Sequence, residues 1–220
     1  MDITILIPLY NGIEYLKGCL KSINNQTYDK YEVIIGINGH EKKSEVYKEA
    51  LKYKTKKIHI IEYLTIGKSN TLNEMIKNAK YDIICLLDVD DLWCSTKLEE
   101  QIKIKNKYDV VGTFCKYFGE KIGSPNLPAN EVKYNDFLKA NPIINSSCML
   151  NKKDCIWDPD IFLGLEDYNL WLKLNYEKKT FYNINKPLTL HRIHKKSFFN
   201  NDNHKNVKSL VQLWTNIYKN

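Results

Sequence analysis

Residues 82–93 read Asp-Ile-Ile-Cys-Leu-Leu-Asp-Val-Asp-Asp-Leu-Trp, an apolar run that passes directly into an acidic one. The apolar run predicts a buried strand, and the carboxylates of Asp88, Asp90 and Asp91 follow at its carboxyl end. Carboxylates this close repel one another, and burial adds a desolvation cost, unless a cation neutralises them. Oxygen ligands of this kind suit Mg²⁺ or Mn²⁺, with ligand phosphates completing the shell. The alternative is a solvated acidic turn or helix cap.

The chain before this segment alternates strand and helix patterns. Apolar runs predict strands at residues 3–7, 32–37 and 58–61, and each is followed by a predicted helix. The helical stripes are Ile13, Leu16, Leu20 and Ile23 in the first, the exposed residues 42–54 in the second, and Leu72, Met75, Ile76 and Ala79 in the third. This alternation predicts a doubly wound, mostly parallel sheet flanked by helices. Such sheets bind ligands at the carboxyl ends of their strands, where residues 8–11, 38–39 and 88–91 converge.

The second half of the chain is less regular. Residues 110–118 predict a pair of strands, 146–150 a further strand, and 199–220 a closing amphipathic helix. We therefore predict a single α/β domain over residues 1–220, with a mostly parallel central sheet and a smaller mixed β region in the second half.

Composition narrows the class of protein. Of the 220 residues, 43% are hydrophobic and 27% charged, which is typical of a folded globular chain. No apolar run reaches the roughly 18–20 residues of a membrane span, and the N-terminus lacks the basic start of a signal peptide, so we expect a cytoplasmic protein. Six cysteines without C-x-x-C spacing indicate reduced, structural thiols. The formal charge of +7 has no dense basic block, which disfavours a nucleic-acid groove but allows peripheral contact with anionic membranes.

Two further polar clusters are candidates for chemistry. Glu166 and Asp167 open a predicted helix, where acidic residues also serve simply to complement the helix dipole. Arg192 and His194 face the same side of an extended segment, which suits a phosphate contact and a metal ligand. An ordinary surface strand is the alternative for this second pair.

Taken together, these segments resemble glycosyltransferase family 2, whose members have the Rossmann-like GT-A fold and invert the anomeric centre. The resemblance runs in order across nearly the whole chain. Its pieces are residues 7–11, 16–28 and 31–35, Gly67 and Asn73, the motif Asp88-x-Asp90-Asp91-x-Trp93, residues 145–149 and 166–172, and Arg192-x-His194-x-x-Ser197.

The resemblance implies a metal-dependent transferase that moves a single sugar from a nucleotide diphosphate donor to an acceptor hydroxyl. Residues 1–93 would form the nucleotide-sugar half and residues 94–198 the acceptor side. The implied donor-binding residues are Pro8, Leu9, Tyr10, Asn38, Lys68, Asp88, Val89 and Arg192. The acceptor would be a glycan, a lipid-linked or a protein-borne hydroxyl.

The resemblance also assigns the metal and the proton transfer. Asp90 and His194 would ligate Mn²⁺ or Mg²⁺, and Asp88 would contact the ion, its water shell or the ribose. Asp167 would be the general base for the acceptor hydroxyl, and Glu166 beside it would orient the acceptor or the metal.

The sequence departs from the family pattern after the second strand. The family usually carries an acidic pair there whose second member recognises a uracil-type base, and this chain has Ile37-Asn38-Gly39. The Asn38 amide can still bind a base edge, so a UDP-sugar is the favoured donor. Lys68 is a candidate for a base or phosphate contact, and an ordinary exposed helix lysine is its alternative.

Two other functions fit parts of the pattern. A haloacid-dehalogenase-like phosphotransferase also places Asp-x-Asp after an apolar strand, but Leu92 and Trp93 and the two preceding strand–helix units disfavour it. A sugar-nucleotide-binding module without turnover is compatible with the altered Ile37-Asn38 pair.

Overall fold

The strands of the first half pair in parallel, as their apolar runs predict. In the computed structural model, which describes residues 1–159, 161, 164–195 and 204–219, nine strands share one sheet. These are β1 (Ile3–Leu9), β2 (Tyr31–Asn38), β3 (Ile58–Tyr63), β4 (Ile83–Leu86), β5 (Leu92–Trp93), β6 (Val110–Gly119), β7 (Asn130–Glu131), β8 (Met149–Asn151) and β9 (Phe181–Ile193). The helices are α1 (Leu16–Asn24), α2 (Glu45–Leu51), α3 (Lys68–Asn78), α4 (Lys97–Lys105), α5 (Tyr134–Lys139), α6 (Glu166–Tyr176) and α7 (His204–Lys219).

The order of the strands explains how the two halves meet. It runs β3-β2-β1-β4-β8-β6-β9-β5, with β7 paired to β9. Strands β3, β2, β1 and β4 are mutually parallel, whereas β8 joins both β4 and β6 antiparallel. The predicted mixed β region therefore continues the same sheet and brings β9 beside β6.

The prediction of two strands within residues 110–118 is wrong. These residues form the single strand β6, whose partner β9 lies about 70 residues further along the chain. A pairing this distant leaves no local signal in the sequence pattern. The helix predicted over 199–220 is observed as α7 within the described residues 204–219.

Two apolar layers cover the sheet. Alternate residues of β1 and β2 point to opposite faces, so Leu6 and Ile34 lie in one layer and Ile5 and Val33 in the other. The first layer packs against α3, α6 and α7, and the second against α1 and α4. Helix α3 contacts β2 directly at Gly36, where an added Cβ would lie 2.5 Å from a Met75 sulfur.

All six cysteines are free thiols, and five of them are buried, as expected for structural residues. Burial raises the pKa of the Cys85 thiol to about 11, which makes it unreactive at neutral pH. Among the described residues, no helix combines the length and the apolar character needed to cross a membrane.

A buried lysine packs against Trp93, which closes the acidic segment. Lys97 of α4 is fully buried, and its ammonium lies 4.0 Å from the centroid of the Trp93 ring. The Lys97 Nζ donates a hydrogen bond to Gln101 Oε1 at 2.6 Å. Burial lowers the pKa of Lys97 from its ordinary 10.5 to about 8.

This lowered pKa predicts a stability effect for Lys97→Met. The unfolded chain binds the lysine proton up to a higher pH than the folded chain, so wild-type stability rises with pH through the window between the two values. Methionine removes this titration, and we expect the stability of the variant relative to wild type to fall by ~2 kcal/mol from neutral pH to about pH 9.5. Urea unfolding at both pH values measures it. The exposed control Lys107→Met should show no such change, and an equal change in both variants would contradict the assignment.

Candidate active site

The ends of β1 and β2 lie side by side at the carboxyl edge of the sheet. Tyr10, just after β1, exposes 54% of its surface, and its ring lies 5.2 Å from the His40 ring. Gly39, directly after β2, has φ +70°, and a Cβ there would lie 2.9 Å from the Tyr10 ring. Only glycine fits this turn without strain, which leaves the Tyr10 ring open to a ligand.

Three other predicted donor-binding residues are more deeply placed. Leu9 is fully buried, and Asn38 and Val89 are 6% and 7% exposed. The side chains of Leu9 and Val89 belong to the apolar layer beside α1, so only their main chain can reach a ligand. Pro8 is partly buried at the same edge. Leu9 therefore stays a predicted donor-binding residue through its main chain, because alternation along β1 turns its side chain into the core.

The acidic turn after β4 gives each carboxylate a different partner. The Asp88 carboxylate forms an ion pair with Lys68 Nζ at 2.6 Å and accepts hydrogen bonds from Asn145 Nδ2 at 3.2 and 3.3 Å. Lys68, the first residue of α3, is partly buried and ion-paired, unlike the ordinary exposed helix lysine of the alternative prediction. Burial raises the pKa of Asp88, but the nearby ammonium and amide outweigh it, and the net pKa lies below the usual value.

Asp91 is fully buried and joins the acidic turn to β9. Its carboxylate lies 2.9 Å from His191 Nδ1 and accepts a hydrogen bond from the main-chain N–H of Arg192 at 2.8 Å. Burial lowers the pKa of His191, but the hydrogen bond and charge of Asp91 raise it above its ordinary value overall. Sequence reasoning missed His191, and the only signal was its position next to Arg192.

Asp90 contacts Arg192 and His194, near the end of β9. Its Oδ2 lies 3.0 Å from His194 Nε2, and its main-chain carbonyl accepts a hydrogen bond from Arg192 Nε at 3.0 Å. Burial and the charges of Asp91 and Asp88 raise the pKa of Asp90. The structure thus brings Asp90 into contact with Arg192 and His194, which lie more than 100 residues further along the chain.

The Arg192 guanidinium is held between two aromatic rings. Its central carbon lies 4.6 Å from the Tyr15 ring centroid and 4.3 Å from that of Phe118. Stacking of this kind fixes the plane of an arginine guanidinium, a group whose geometry suits contact with an anion. Tyr15 also lies 5.7 Å from the His194 ring. The last residue of the predicted β9 motif, Ser197, lies outside the described residues, as do Phe162 and Leu163.

Asp167, the second residue of α6, is partly buried at the same edge. Its Oδ2 accepts a hydrogen bond from Asn141 Nδ2 at 3.0 Å, and its Oδ1 accepts one from the main-chain N–H of Tyr168 at 2.8 Å. Burial raises the pKa of Asp167 to about 6, with Lys68 lowering it and the charge of Glu166 raising it. The Lys68 ammonium is thus close enough to influence both Asp88 and Asp167.

A divalent cation is chemically compatible with part of this arrangement. No group of three His, Cys, Asp or Glu side chains suited to a metal occurs in the part of the chain that the structure describes. The Asp90 carboxylate and the His194 imidazole nevertheless lie 3.0 Å apart. Burial and the negative charges of Asp91 and Asp88 disfavour the ionised form of Asp90. Mg²⁺ and Mn²⁺ commonly use one or two protein ligands together with substrate phosphates and waters. The contacts of Asp88 go instead to Lys68 and Asn145.

The fold and the edge site define the class: an α/β protein with ligand-binding residues at the carboxyl ends of parallel strands. Glycosyl transferase family 2 matches residues 4–158, and the chain belongs to this family of transferases. The haloacid-dehalogenase-like alternative is therefore wrong.

Relatives of known name agree with the family. The O-antigen biosynthesis glycosyltransferase WbnJ of Escherichia coli is 32% identical over 89% of this chain and 81% of its own length. The Escherichia coli UDP-Glc:alpha-D-GlcNAc-diphosphoundecaprenol beta-1,3-glucosyltransferase WfaP is 28% identical over 87% of this chain and 77% of its own length. An uncharacterised glycosyltransferase of Rickettsia felis is 28% identical, and the chain spans only 31% of that protein.

Solved structures confirm the predicted GT-A fold. The S. aureus TarS structure in complex with UDP-GlcNAc has a TM-score of 0.77 at 15% identity, covering 97% of this chain and 66% of that one. The mannosyltransferase PcManGT of Pyrobaculum calidifontis, in complex with GDP-Man and Mn²⁺, has a TM-score of 0.65 at 18% identity, covering 90% and 58%.

Proposed function

We propose that this chain is a metal-dependent, inverting glycosyltransferase that moves one sugar from a UDP-sugar to a hydroxyl of a glycan, lipid-linked or protein-borne acceptor. The observation that carries the proposal is the placement of Asp167, a carboxylate with a raised pKa, beside the Lys68–Asp88 ion pair. A base and a donor-binding cluster at one edge are what a sugar transfer requires.

The donor side contains groups for a nucleoside diphosphate. The exposed Tyr10 ring and the Asn38 amide would contact the base, and the stacked Arg192 guanidinium would contact the phosphates. Asp90 and His194 would hold the divalent ion, which would supply positive charge opposite the departing diphosphate. The name of WfaP states a UDP-glucose donor and a diphosphoundecaprenol-linked acceptor, and this supports a UDP-sugar and a lipid-linked acceptor for the present chain.

Helix α6 would supply the residues of the acceptor side. The Asp167 carboxylate would accept the proton of the acceptor hydroxyl while that oxygen bonds to the anomeric carbon and the bond to the diphosphate breaks. Because this is one displacement, the anomeric configuration inverts. Glu166, which precedes Asp167 and is partly exposed, would orient the acceptor.

A panel of UDP-, GDP- and dTDP-sugars tests the proposal, with Mn²⁺ or Mg²⁺ and simple saccharide acceptors. We expect release of the nucleoside diphosphate from a UDP-sugar, abolished by a chelator and restored by the ion. A panel in which no nucleotide sugar is consumed, although nucleoside diphosphates bind, would show a binding module without turnover.

The raised pKa of Asp167 predicts the pH dependence of the reaction. A general base acts in its ionised form, so kcat/KM should fall as the pH drops through about 6. The value of kcat/KM falls toward acid because the carboxyl is protonated below that pH and cannot accept another proton. Initial rates between pH 4.5 and 8 measure the acidic limb. A limb centred near 4, the ordinary range of an exposed carboxyl, would contradict this role.

A further inference from the structure

A single short segment reaches both carboxylates of the proposed site. In residues 141–147, here called the bridge segment, Asn141 Nδ2 donates to Asp167 Oδ2 at 3.0 Å. Four residues later, Asn145 Nδ2 donates to both oxygens of Asp88, at 3.2 and 3.3 Å. The bridge segment therefore connects the proposed base on α6 to the carboxylate that follows β4.

The main chain of the bridge segment is held from several sides. The Ile143 carbonyl accepts a hydrogen bond from Trp171 Nε1 at 3.2 Å, and the Pro142 carbonyl accepts one from Asn183 Nδ2 at 2.8 Å. Trp171 lies one helical turn after Asp167, so α6 contacts the bridge segment twice on one face. The side chain of Ile143 is fully buried.

The other end of the bridge segment is fastened to the acidic turn. The Ser146 hydroxyl accepts a hydrogen bond from the Asp88 main-chain N–H at 3.0 Å, and the Ser146 carbonyl accepts one from Trp93 Nε1 at 2.7 Å. Asn145 is 8% exposed, and its buried amide oxygen has no hydrogen-bond partner among the residues that the structure describes. The amide is thus oriented by the Asp88 carboxylate, to which only the NH₂ group can donate.

We propose that Asn141 and Asn145 are positioning residues of the transfer reaction, and that the bridge segment holds the acceptor base and the donor-binding carboxylate at a fixed separation. This inference rests on the proposed function. Asn141 acts on the base alone, since its amide stabilises the ionised form of Asp167 against burial and against the charge of Glu166. Asn145 acts on Asp88, which Lys68 neutralises from the other side.

Variants of Asn141 and Asn145 should have different effects in experiment. The charged groups around Asp167 are Lys68 from α3 and Glu166 from its own helix, with the Cys148 thiol also close. Asn141→Ala leaves all of them in place and removes one donor to the ionised carboxylate. We expect the pKa of Asp167 to rise by roughly one pH unit in this variant, and the acidic limb of kcat/KM to move with it. The affinity for nucleoside diphosphate should be unchanged. Asn145→Ala should weaken UDP binding roughly tenfold and leave the limb in place.

The carboxyl pKa is best followed by NMR of ¹³C-labelled aspartate, with the Asp167 signal assigned through Asp167→Asn. This readout needs no turnover, so it tests the inference even if no sugar is transferred, which would defeat only the proposed function. Asn141→Asp keeps the size of the side chain and should shift the pKa further upward, because it adds a like charge. The exposed Asn135→Ala is the matched control. An unshifted pKa in folded Asn141→Ala and Asn141→Asp, or equal loss of UDP affinity in Asn141→Ala and Asn145→Ala, would overturn the inference.

Discussion

Replacing Asp167 with asparagine is expected to lower kcat for sugar transfer by ~10²–10⁴-fold, the range that a positioned general base contributes. The amide keeps the shape of the side chain and can still accept a hydrogen bond from the Tyr168 N–H, but it cannot take the proton of the acceptor hydroxyl. Binding of the donor nucleotide should be unchanged, because the contacts of Asp167 are on the acceptor side. Steady-state kinetics and calorimetric titration with UDP measure the two quantities.

The control for this variant is Glu177→Gln, which makes the same kind of change at the exposed end of the same helix. It should leave kcat unaltered. If Asp167→Asn retained full kcat, another group would have to be the base. If it lost both kcat and UDP binding, the effect would be structural, and Asp167 would not have the assigned role.

Replacing Asp90 with asparagine is expected to abolish the dependence of nucleotide binding on the divalent ion. In wild type, UDP with Mn²⁺ at a hundred times its Kd should stabilise the fold by ~2.7 kcal/mol, or about 5–10 °C in Tm for a domain of this size. The variant should show the same small shift with UDP whether Mn²⁺ is present or not. Thermal melts with and without the ion measure the difference.

The same substitution has a second consequence in the absence of metal. Burial and the charges of Asp91 and Asp88 raise the pKa of Asp90, so its ionised form costs stability above that pKa. The metal-free Asp90→Asn variant should therefore melt higher than metal-free wild type at neutral pH, whereas the exposed control Asp29→Asn should not. His194→Gln should also remove the effect of the ion, and the double variant should lose no more than either single one, since both ligands serve one site. Full retention of manganese dependence in Asp90→Asn would contradict the metal assignment.

Lys68 shows why the geometry of this site could not be predicted from spacing alone. Its position after Gly67 allowed a phosphate contact, a base contact or an ordinary surface role. In the structure its ammonium is paired with Asp88 and influences Asp167, so one residue connects the proposed donor and acceptor sides. The pairing exists because α3 begins at the same edge of the sheet at which β4 ends.

The placement of Leu9 has a similar origin. The motif around Pro8 and Tyr10 lies at the carboxyl end of β1, but which residues of the motif face outward depends on the phase of β1 in the sheet. That phase places Leu9 in the core and the Tyr10 ring at the surface.

What the sequence by itself determined is local in character. Neighbouring residues determine the alternation of strands and helices, the acidic turn after β4 and the acidic start of α6. They can do so because backbone periodicity and turn chemistry act over a few positions. Only the tertiary structure decided which side chains meet: Asp88 with Lys68 and Asn145, Asp91 with His191, Asp167 with Asn141. These contacts join residues between 20 and 100 positions apart, and they follow from the order β1-β4-β8-β6-β9 in the sheet. A single sequence carries no direct signal of that order, since the free energy of strand pairing depends on surfaces that only the folded chain brings together.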